Sequence, residues 1–326
     1  MKGWSNMKPK VLVTRKIPQE IVEKIEAVCT VEMWEEEEMP IPREVLEKKI
    51  VDAEGLFCLL TETVDSALLD KAKKLKVVSN MAVGYNNIDI EAAKQRGITV
   101  TNTPGVLTET TADLTFALIM ATSRRLIEAS RYLHNGEWKT WSPMQLTGQD
   151  IFGATMGIIG MGRIGEAVAK RAKGFNMEIL YHNRNHRPEL ESKLGVQYVE
   201  VDELLQRSDF VVVMTPYTKE TVNLIAEREL SLMKKSAILI NTARGGIVNE
   251  EALYRALKNN EIWAAGLDVF ETEPVSLDNP LLSLPNVVAL PHIGSASIKT
   301  RLKMAELAAD NLIKGVTNQK PKNVVV

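Results

Sequence analysis

The sequence predicts an α/β fold in two parts: a doubly wound parallel-sheet domain set into the middle of a chain whose two ends build a second α/β unit. Three observations lead there. From Met156 onward, apolar runs at 156–159, 178–181, 210–213, 238–241, 264–269 and 287–290 alternate with helix-like segments at 163–173, 202–206 and 250–258. Near-continuous apolar strands separated by helices belong to a parallel sheet covered on both faces. Well before this, the β-rich run Val11-Leu12-Val13-Thr14 leads through Pro18 into a helix with Ile21, Val22 and Ile25 on one face, which starts a separate strand–helix pattern. Finally, 326 residues are too many for one small core. The last amphipathic helix, Ser297 to Lys314, is followed by too few residues for a domain, so the tail is expected to pack back on the N-terminal unit.

Composition narrows the class of partner. With 45% hydrophobic and 25% charged residues the chain reads as an ordinary soluble protein. Its 40 basic and 42 acidic residues give a net charge of -2, which offers no field to attract nucleic acid or an anionic membrane. A small-molecule partner is expected. Cys29 and Cys58 fit neither a disulfide framework nor a metal-ligand spacing and read as buried reduced thiols. The first ten residues lack the apolar core of a signal peptide and read as a disordered extension, with Met7 as an alternative start. No apolar run approaches the roughly 20 residues of a membrane helix, so a cytoplasmic location is expected.

In the N-terminal unit, Gly55 to Leu60 and Val77 to Met81 are the next strands, separated by a helix from Ser66 to Lys74. The acidic run 35–38 reads as solvated. Ala82 to Asp89 follows a strand directly; taken by itself it is a simple turn, though a glycine there also lets a ligand approach the backbone. Val100 to Gly105 is a strand ending in a Pro-Gly break, a domain crossing. The helix from Thr108 to about Arg125 is apolar on more than one face, which buries it in the core or between subunits. The segment Tyr132 to Asp150 then carries Trp138 and Trp141, which suit an oligomer contact or a lid over a site.

Within the central domain, Gly160-Met161-Gly162-Arg163-Ile164-Gly165 stands between a strand and a helix. One glycine turns the chain, the second removes the Cβ that would block a pyrophosphate, and the third lets the helix pack closely. The helix N-terminus then faces the anion. A dinucleotide is the expected ligand. At an NAD site the second strand ends in an acidic residue that bonds the ribose 2′-hydroxyl. Here that strand ends Tyr181-His182-Asn183-Arg184-Asn185-His186-Arg187, with no carboxylate, and Arg184 and Arg187 can pair with a 2′-phosphate. This points to NADP(H), with NAD(H) as the alternative.

Three further strand ends carry Arg244, Glu273 and His292. Together they hold the parts for reducing a carbonyl: an imidazole proton donor, a carboxylate to orient it, and a cation for a substrate carboxylate.

With these residues in place the sequence resembles the D-isomer-specific 2-hydroxyacid dehydrogenase family. Five motifs occur in family order: Val83-Gly84-Tyr85-Asn86-Asn87-Ile88-Asp89, the three glycines, Ala243-Arg244-Gly245-Gly246, Gly266 to Pro274, and Pro291-His292-Ile293-Gly294-Ser295. The resemblance implies two doubly wound Rossmann-like domains. The NAD(P)-binding domain, 106–292, would be inserted into a discontinuous substrate domain, 7–105 plus 293–326. It further implies a homodimer built largely by the segment from about Val106 to Asp150. In the implied roles Arg244 binds the substrate carboxylate and carbonyl, His292 gives the proton, and Glu273 pairs with His292. The backbone at Val83 and Gly84 helps hold the carboxylate, and Asp268 faces the nicotinamide. Arg163, Ile164, Pro216 and Thr221 complete the expected cofactor contacts. Within the family the chain looks most like the glyoxylate/hydroxypyruvate and 2-ketogluconate reductases, where a tryptophan at the position of Trp141 reaches the partner's active site. A D-3-phosphoglycerate dehydrogenase and a dinucleotide-sensing binding protein of the same fold are the alternatives. Asn86 stands where the family often has Asp, and the short segment after His292 leaves no regulatory domain to expect.

Overall fold

The structure, a computed structural model, describes residues 8–326. Of the N-terminal extension read from the sequence, residues 1–7, including the alternative start at Met7, lie outside the described residues. Two compact units emerge: one runs to Leu107 and resumes at Ser297–Val326, and the other is Thr108–Ala296. The divisions therefore fall at 107/108 and 296/297, not at the expected 105/106 and 292/293. Local bonding accounts for the later second boundary: Ile293 and Gly294 donate their N–H groups to Asp268, and Ala296 to the Ile293 carbonyl.

The first unit alternates β1 (Lys10–Val13), α1 (Gln19–Glu26), β2 (Thr30–Met33), α2 (Arg43–Lys49), β3 (Gly55–Cys58), α3 (Ser66–Lys71), β4 (Val77–Asn80), α4 (Ile90–Gln95) and β5 (Thr99–Thr101). Its strands pair in parallel in the order β2-β1-β3-β4-β5. Side chains alternate between the sheet faces: Leu12, Leu56 and Val78 enter one core, whereas Val11, Val13, Phe57 and Val77 enter the other. Asp65 and Asp89 cap α3 and α4 by accepting the N–H groups of Leu68 and Ala92.

The second unit begins with α5 (Thr108–Ser123) and α6 (Leu126–His134), then β6 (Thr155–Ile159), α7 (Arg163–Lys173), β7 (Glu178–His182), α8 (Pro188–Leu194), β8 (Gln197–Tyr198), α9 (Val201–Arg207) and β9 (Phe210–Val213). It continues with α10 (Glu227–Leu232), β10 (Ile238–Asn241), α11 (Glu250–Lys258), β11 (Ala264–Leu267) and β12 (Val287–Ala289). Seven parallel strands run β12-β11-β10-β9-β6-β7-β8, so the order reverses between β6 and β9. That reversal is the switch point where doubly wound sheets bind ligands. Ile158, Val212 and Ile240 fill one side of the sheet and Ile159, Val211 and Leu239 the other.

Helix α6 runs as far as His134, into the start of the segment that carries the two tryptophans. Arg125, at φ 51°, turns the chain out of α5, and its guanidinium bonds Glu128 in the first turn of the next helix.

The chain then returns to the first unit as α12 (Ile298–Val316). Its Ala308 carbonyl accepts the buried Ser79 hydroxyl at 2.7 Å, and the C-terminus pairs with β5 through Val100 and Val325. The packing of α12 on β4 is close enough that a Cβ on Gly315 would lie 2.6 Å from the Cβ of Val77. A Gly→Ala change in a helix ordinarily gains up to about 1 kcal/mol, whereas overpacking of this kind costs about 1–3 kcal/mol. Gly315→Ala is therefore expected to lower the melting temperature, and a stabilised variant would disprove this close contact.

Candidate active site

The glycine motif fits a dinucleotide glycine by glycine. Gly160 has φ +102°, which a side chain resists, and a Cβ there would also meet the backbone of Met214 and Thr215 at 2.7 Å. A Cβ on Gly165 would stand 2.6 Å from the Gly160 carbonyl, so this position sets the closeness of helix and turn. In front of Gly162 nothing lies within 4 Å, the open space a phosphate needs. Gly162 caps α7, whose first N–H groups, those of Arg163, Ile164 and Gly165, have no partners within the helix. Thr215 adds a polar group that the sequence reading missed: its hydroxyl is buried without a hydrogen-bond partner among the described residues. In the same loop the Thr221 hydroxyl bonds the Pro216 carbonyl at 2.8 Å, which fixes the two residues to each other. These features fit a nicotinamide dinucleotide.

At the end of β7, Asn183 occupies the position where an acidic residue would bond a ribose. Its Oδ1 accepts the Met161 N–H at 2.6 Å, tying the strand end to the glycine turn. Arg184 is exposed, while Arg187 is ion-paired with Glu166 and Glu189.

The strand ends β10, β11 and β12 bring the reactive side chains together. Buried Asn241 shapes the first turn: its Oδ1 accepts the Ala243 N–H and its Nδ2 donates to the Arg244 carbonyl. Gly245 then packs so closely on the next loop that a Cβ would lie 1.7 Å from the Phe270 carbonyl oxygen. This contact holds Arg244 beside the loop that carries Glu273. Burial pushes the half-buried Arg244 guanidinium below its ordinary pKa, and the nearby Glu273 charge opposes the shift. Glu273 Oε1 accepts the Phe270 N–H at 3.0 Å, while Oε2 lies 2.6 Å from His292 Nδ1. Burial by itself raises the Glu273 carboxyl, but the His292 hydrogen bond, the charges of His292 and Arg244, and the Phe270 N–H outweigh it and leave the pKa lowered. A carboxylate only accepts, so Nδ1 carries a proton and Nε2 is the ring atom left for chemistry.

His292 itself adopts φ +53°, a left-handed backbone uncommon for a residue with a side chain. Asp268 explains how the turn is held. It has no exposed surface, and its two oxygens accept the Ile293 and Gly294 N–H groups, both at 2.8 Å. Burial raises its pKa, against those two N–H groups and the charge of His292. It clamps the two peptides that follow His292.

Val83 and Gly84 lie in the first unit. Their carbonyls accept from Asn102 at 2.8 Å and Asn80 at 3.0 Å, and their N–H groups make no hydrogen bond among the described residues. Trp141 stands on the loop before β6 and is 77% exposed. Among the described residues no cluster of His, Cys, Asp and Glu could hold a metal, and no helix is long and apolar enough to cross a membrane.

Two predictions follow from these bonds. Asp268→Asn places an amide N–H against a backbone N–H and frees the turn; misplacement of this kind costs on the order of 100-fold in turnover. The loss is expected in kcat, so a variant that only melted earlier would make Asp268 a stability contact. For Glu273 the sign follows from its lowered pKa. Its contribution to stability is complete above the unfolded carboxyl pKa of about 4.3 and is lost as pH falls through the lower folded value. The melting-temperature advantage of the protein over Glu273→Gln should thus hold at neutral pH and shrink in acid. An advantage that did not change with pH would show Glu273 is not an ionised partner.

Comparison with known proteins places these features in one family. Residues 116–294 match the model of the D-isomer specific 2-hydroxyacid dehydrogenase NAD binding domain. A glyoxylate reductase of Korarchaeum cryptofilum is 51% identical over 320 residues, covering 98% of this chain and 96% of the relative. The crystal structure of a Thermus thermophilus protein superposes with a TM-score of 0.91 at 44% identity, covering 97% of this chain and all of that one. An NADPH-dependent glyoxylate/hydroxypyruvate reductase from Sinorhizobium meliloti, in complex with NADP and malonate, gives 0.84 at 34% identity over 98% of this chain and 97% of the other. The chain belongs to the D-isomer-specific 2-hydroxyacid dehydrogenase family, and is an NAD(P)-dependent oxidoreductase acting on a 2-hydroxy acid.

Proposed function

We propose that the protein is an NADPH-preferring reductase of small 2-keto acids, with glyoxylate and hydroxypyruvate as substrates. The observation that carries the reaction is the 2.6 Å contact between Glu273 and His292 Nδ1, with Arg244 on the neighbouring strand end. Relatives about half identical to this chain are glyoxylate reductases, which favours glyoxylate. The β7 end without a carboxylate favours NADPH, as does the NADP bound by the Sinorhizobium enzyme.

When bound, the nicotinamide supplies the hydride that reduces the keto carbon. Arg244 holds the substrate carboxylate and polarises the carbonyl, and its half-buried position strengthens both effects. His292, protonated on both nitrogens, gives its Nε2 proton to the carbonyl oxygen. Glu273 retains the Nδ1 proton and balances the imidazolium charge. In the reverse direction neutral Nε2 accepts the hydroxyl proton.

The assembly we propose is a homodimer in the cytoplasm. Leu126, Leu133, Trp138, Trp141, Met144 and Phe152 are all at least half exposed between the start of α6 and β6, an apolar surface suited to a second copy, across which Trp141 would reach the partner's site. Cys29 and Cys58 are free and buried, and burial pushes the Cys29 thiol up to about 11, as expected of unreactive thiols.

The test is kcat/KM for glyoxylate, hydroxypyruvate, 2-ketogluconate and 3-phosphohydroxypyruvate, each with NADPH and NADH. The highest values are expected for glyoxylate or hydroxypyruvate with NADPH. A preference for the phosphorylated acid with NADH would replace this reading with a phosphoglycerate dehydrogenase, and slow turnover on all four would favour a sensing protein. His292→Ala should lower kcat by about 100-fold or more; wild-type turnover would remove His292 from its role.

A further inference from the structure

Helix α5 is buried, but it carries hydroxyl groups where it meets the strand ends of the second unit. Thr111 and Thr115 stand one turn apart on it and are both buried. The Thr115 hydroxyl donates to the Thr111 carbonyl at 2.8 Å, the bond a helical threonine makes to its own preceding turn. The same oxygen lies 2.7 Å from the hydroxyl of Thr242, which is also buried. A hydroxyl has one proton and two lone pairs. With the Thr115 proton given to its own helix, Thr242 is the donor in the second bond. Met214 Sδ, 4.0 Å from the Thr242 oxygen, is a weak acceptor beside it.

Thr242 is the first residue after β10 and stands two before Arg244. The bonds of Asn241 to Ala243 and Arg244, and that of Arg244 Nη1 to the Ala243 carbonyl at 2.8 Å, lie within the turn and give it its shape. The Thr242 bond joins the turn to a different element. That element is itself seated on the neighbouring strands. A Cβ on Gly266 of β11 would stand 2.7 Å from Thr122 Oγ1, and one on Gly294, after His292, would stand 3.4 Å from Thr111 Cγ2. The packing of Gly245 on Phe270 limits how near the Arg244 turn comes to the next loop. A hydrogen bond between buried hydroxyls also fixes a direction.

We propose that Thr115 is a positioning residue for the reaction: through the Thr242 hydroxyl it ties the turn that presents Arg244 to α5, the helix that also packs on β11 and on the turn after His292. Thr115 acts only through the place of the guanidinium. The inference rests on the role proposed for Arg244.

Steady-state kinetics of the full-length protein test it, with glyoxylate and NADPH or whichever keto acid and cofactor the wild-type protein prefers. Melting temperature and the Kd for the reduced cofactor are measured alongside. Thr115→Ala should lower kcat/KM for the keto acid by about tenfold, the size of one buried hydrogen bond, while the cofactor Kd stays the same. Thr115→Ser, which loses the methyl and keeps the hydroxyl, should restore the wild-type value. Thr242→Ala should match Thr115→Ala, and the double variant should fall no further than either, because the two hydroxyls make one bond. If Thr115→Ala does not fold, Thr242→Ala takes its place, with Thr242→Ser as its rescue. The inference is overturned if the alanine variants melt earlier at wild-type kcat/KM, if serine does not restore activity, if the two losses multiply in the double variant, or if the cofactor Kd weakens in parallel. Arg244→Ala separates the two readings. If it keeps wild-type kcat/KM, the role proposed for Arg244 falls and takes this inference with it; if it loses activity and Thr115→Ala does not, only the inference falls.

Discussion

A parallel sheet sends the carboxyl ends of all its strands to one edge, and the chemistry of this protein depends on that constraint. In the second unit the glycine turn follows β6, Asn183 follows β7, Pro216 follows β9, Arg244 follows β10, Asp268 and Glu273 follow β11, and His292 follows β12. These residues span more than a hundred positions of sequence, but the register of the ladder sets them side by side. The sheet achieves this because both faces are buried: alternate residues of β6, β9 and β10 enter opposite cores, and a slip of one residue would exchange every side chain between them.

What the strand edge provides is only approximate placement, and the final positions come from polar atoms spent on backbone. Asn241 folds the turn that presents Arg244, Glu273 anchors its own loop through the Phe270 N–H, and Asp268 holds the two peptides after His292. Each of these groups is buried or half-buried, where an unmade hydrogen bond costs about 1–3 kcal/mol. Disturbing one bond therefore carries a penalty large enough to hold the turns in a single arrangement. Gly245 contributes through the absence of a side chain, since any Cβ there would force the Arg244 turn away from Phe270.

This difference between coarse and fine placement also explains what could be read from the sequence. Apolar runs such as Phe210–Val213 and Ile238–Asn241 announce themselves because a strand buried on both faces has almost no polar residues. Strand β2 carries Thr30 and Glu32 and is only half-buried, β8 has two residues, and α8 and α10 are short, so none leaves a comparable pattern. Arg244, Glu273 and His292 were legible as chemical types at strand ends. The buried clamp role of Asp268 was not, because its partners are backbone N–H groups of Ile293 and Gly294, which any sequence offers. Thr215 was missed because one threonine after a strand carries no spacing signal. Arg187 looked equivalent to Arg184 because its neutralising partner, Glu166, lies in another helix.

The strain at His292 shows why fine placement is needed here. A left-handed residue with a side chain costs roughly 1–3 kcal/mol, and it persists only where the surroundings determine it from several directions. Here three do: Glu273 holds the ring through Nδ1, Asp268 holds the following peptides, and the Leu290 N–H bonds the Leu267 carbonyl before the turn. The same bonds maintain the strained backbone and hold the ring through Nδ1, and Nε2 makes no hydrogen bond among the described residues. A relaxed turn would remove the strain but would also free the ring to rotate, and the imidazole would lose its fixed direction. The buried carboxylate of Asp268 and the uncommon backbone of His292 are therefore best understood as one device, in which a local cost to stability fixes the orientation of the imidazole proposed to give the proton.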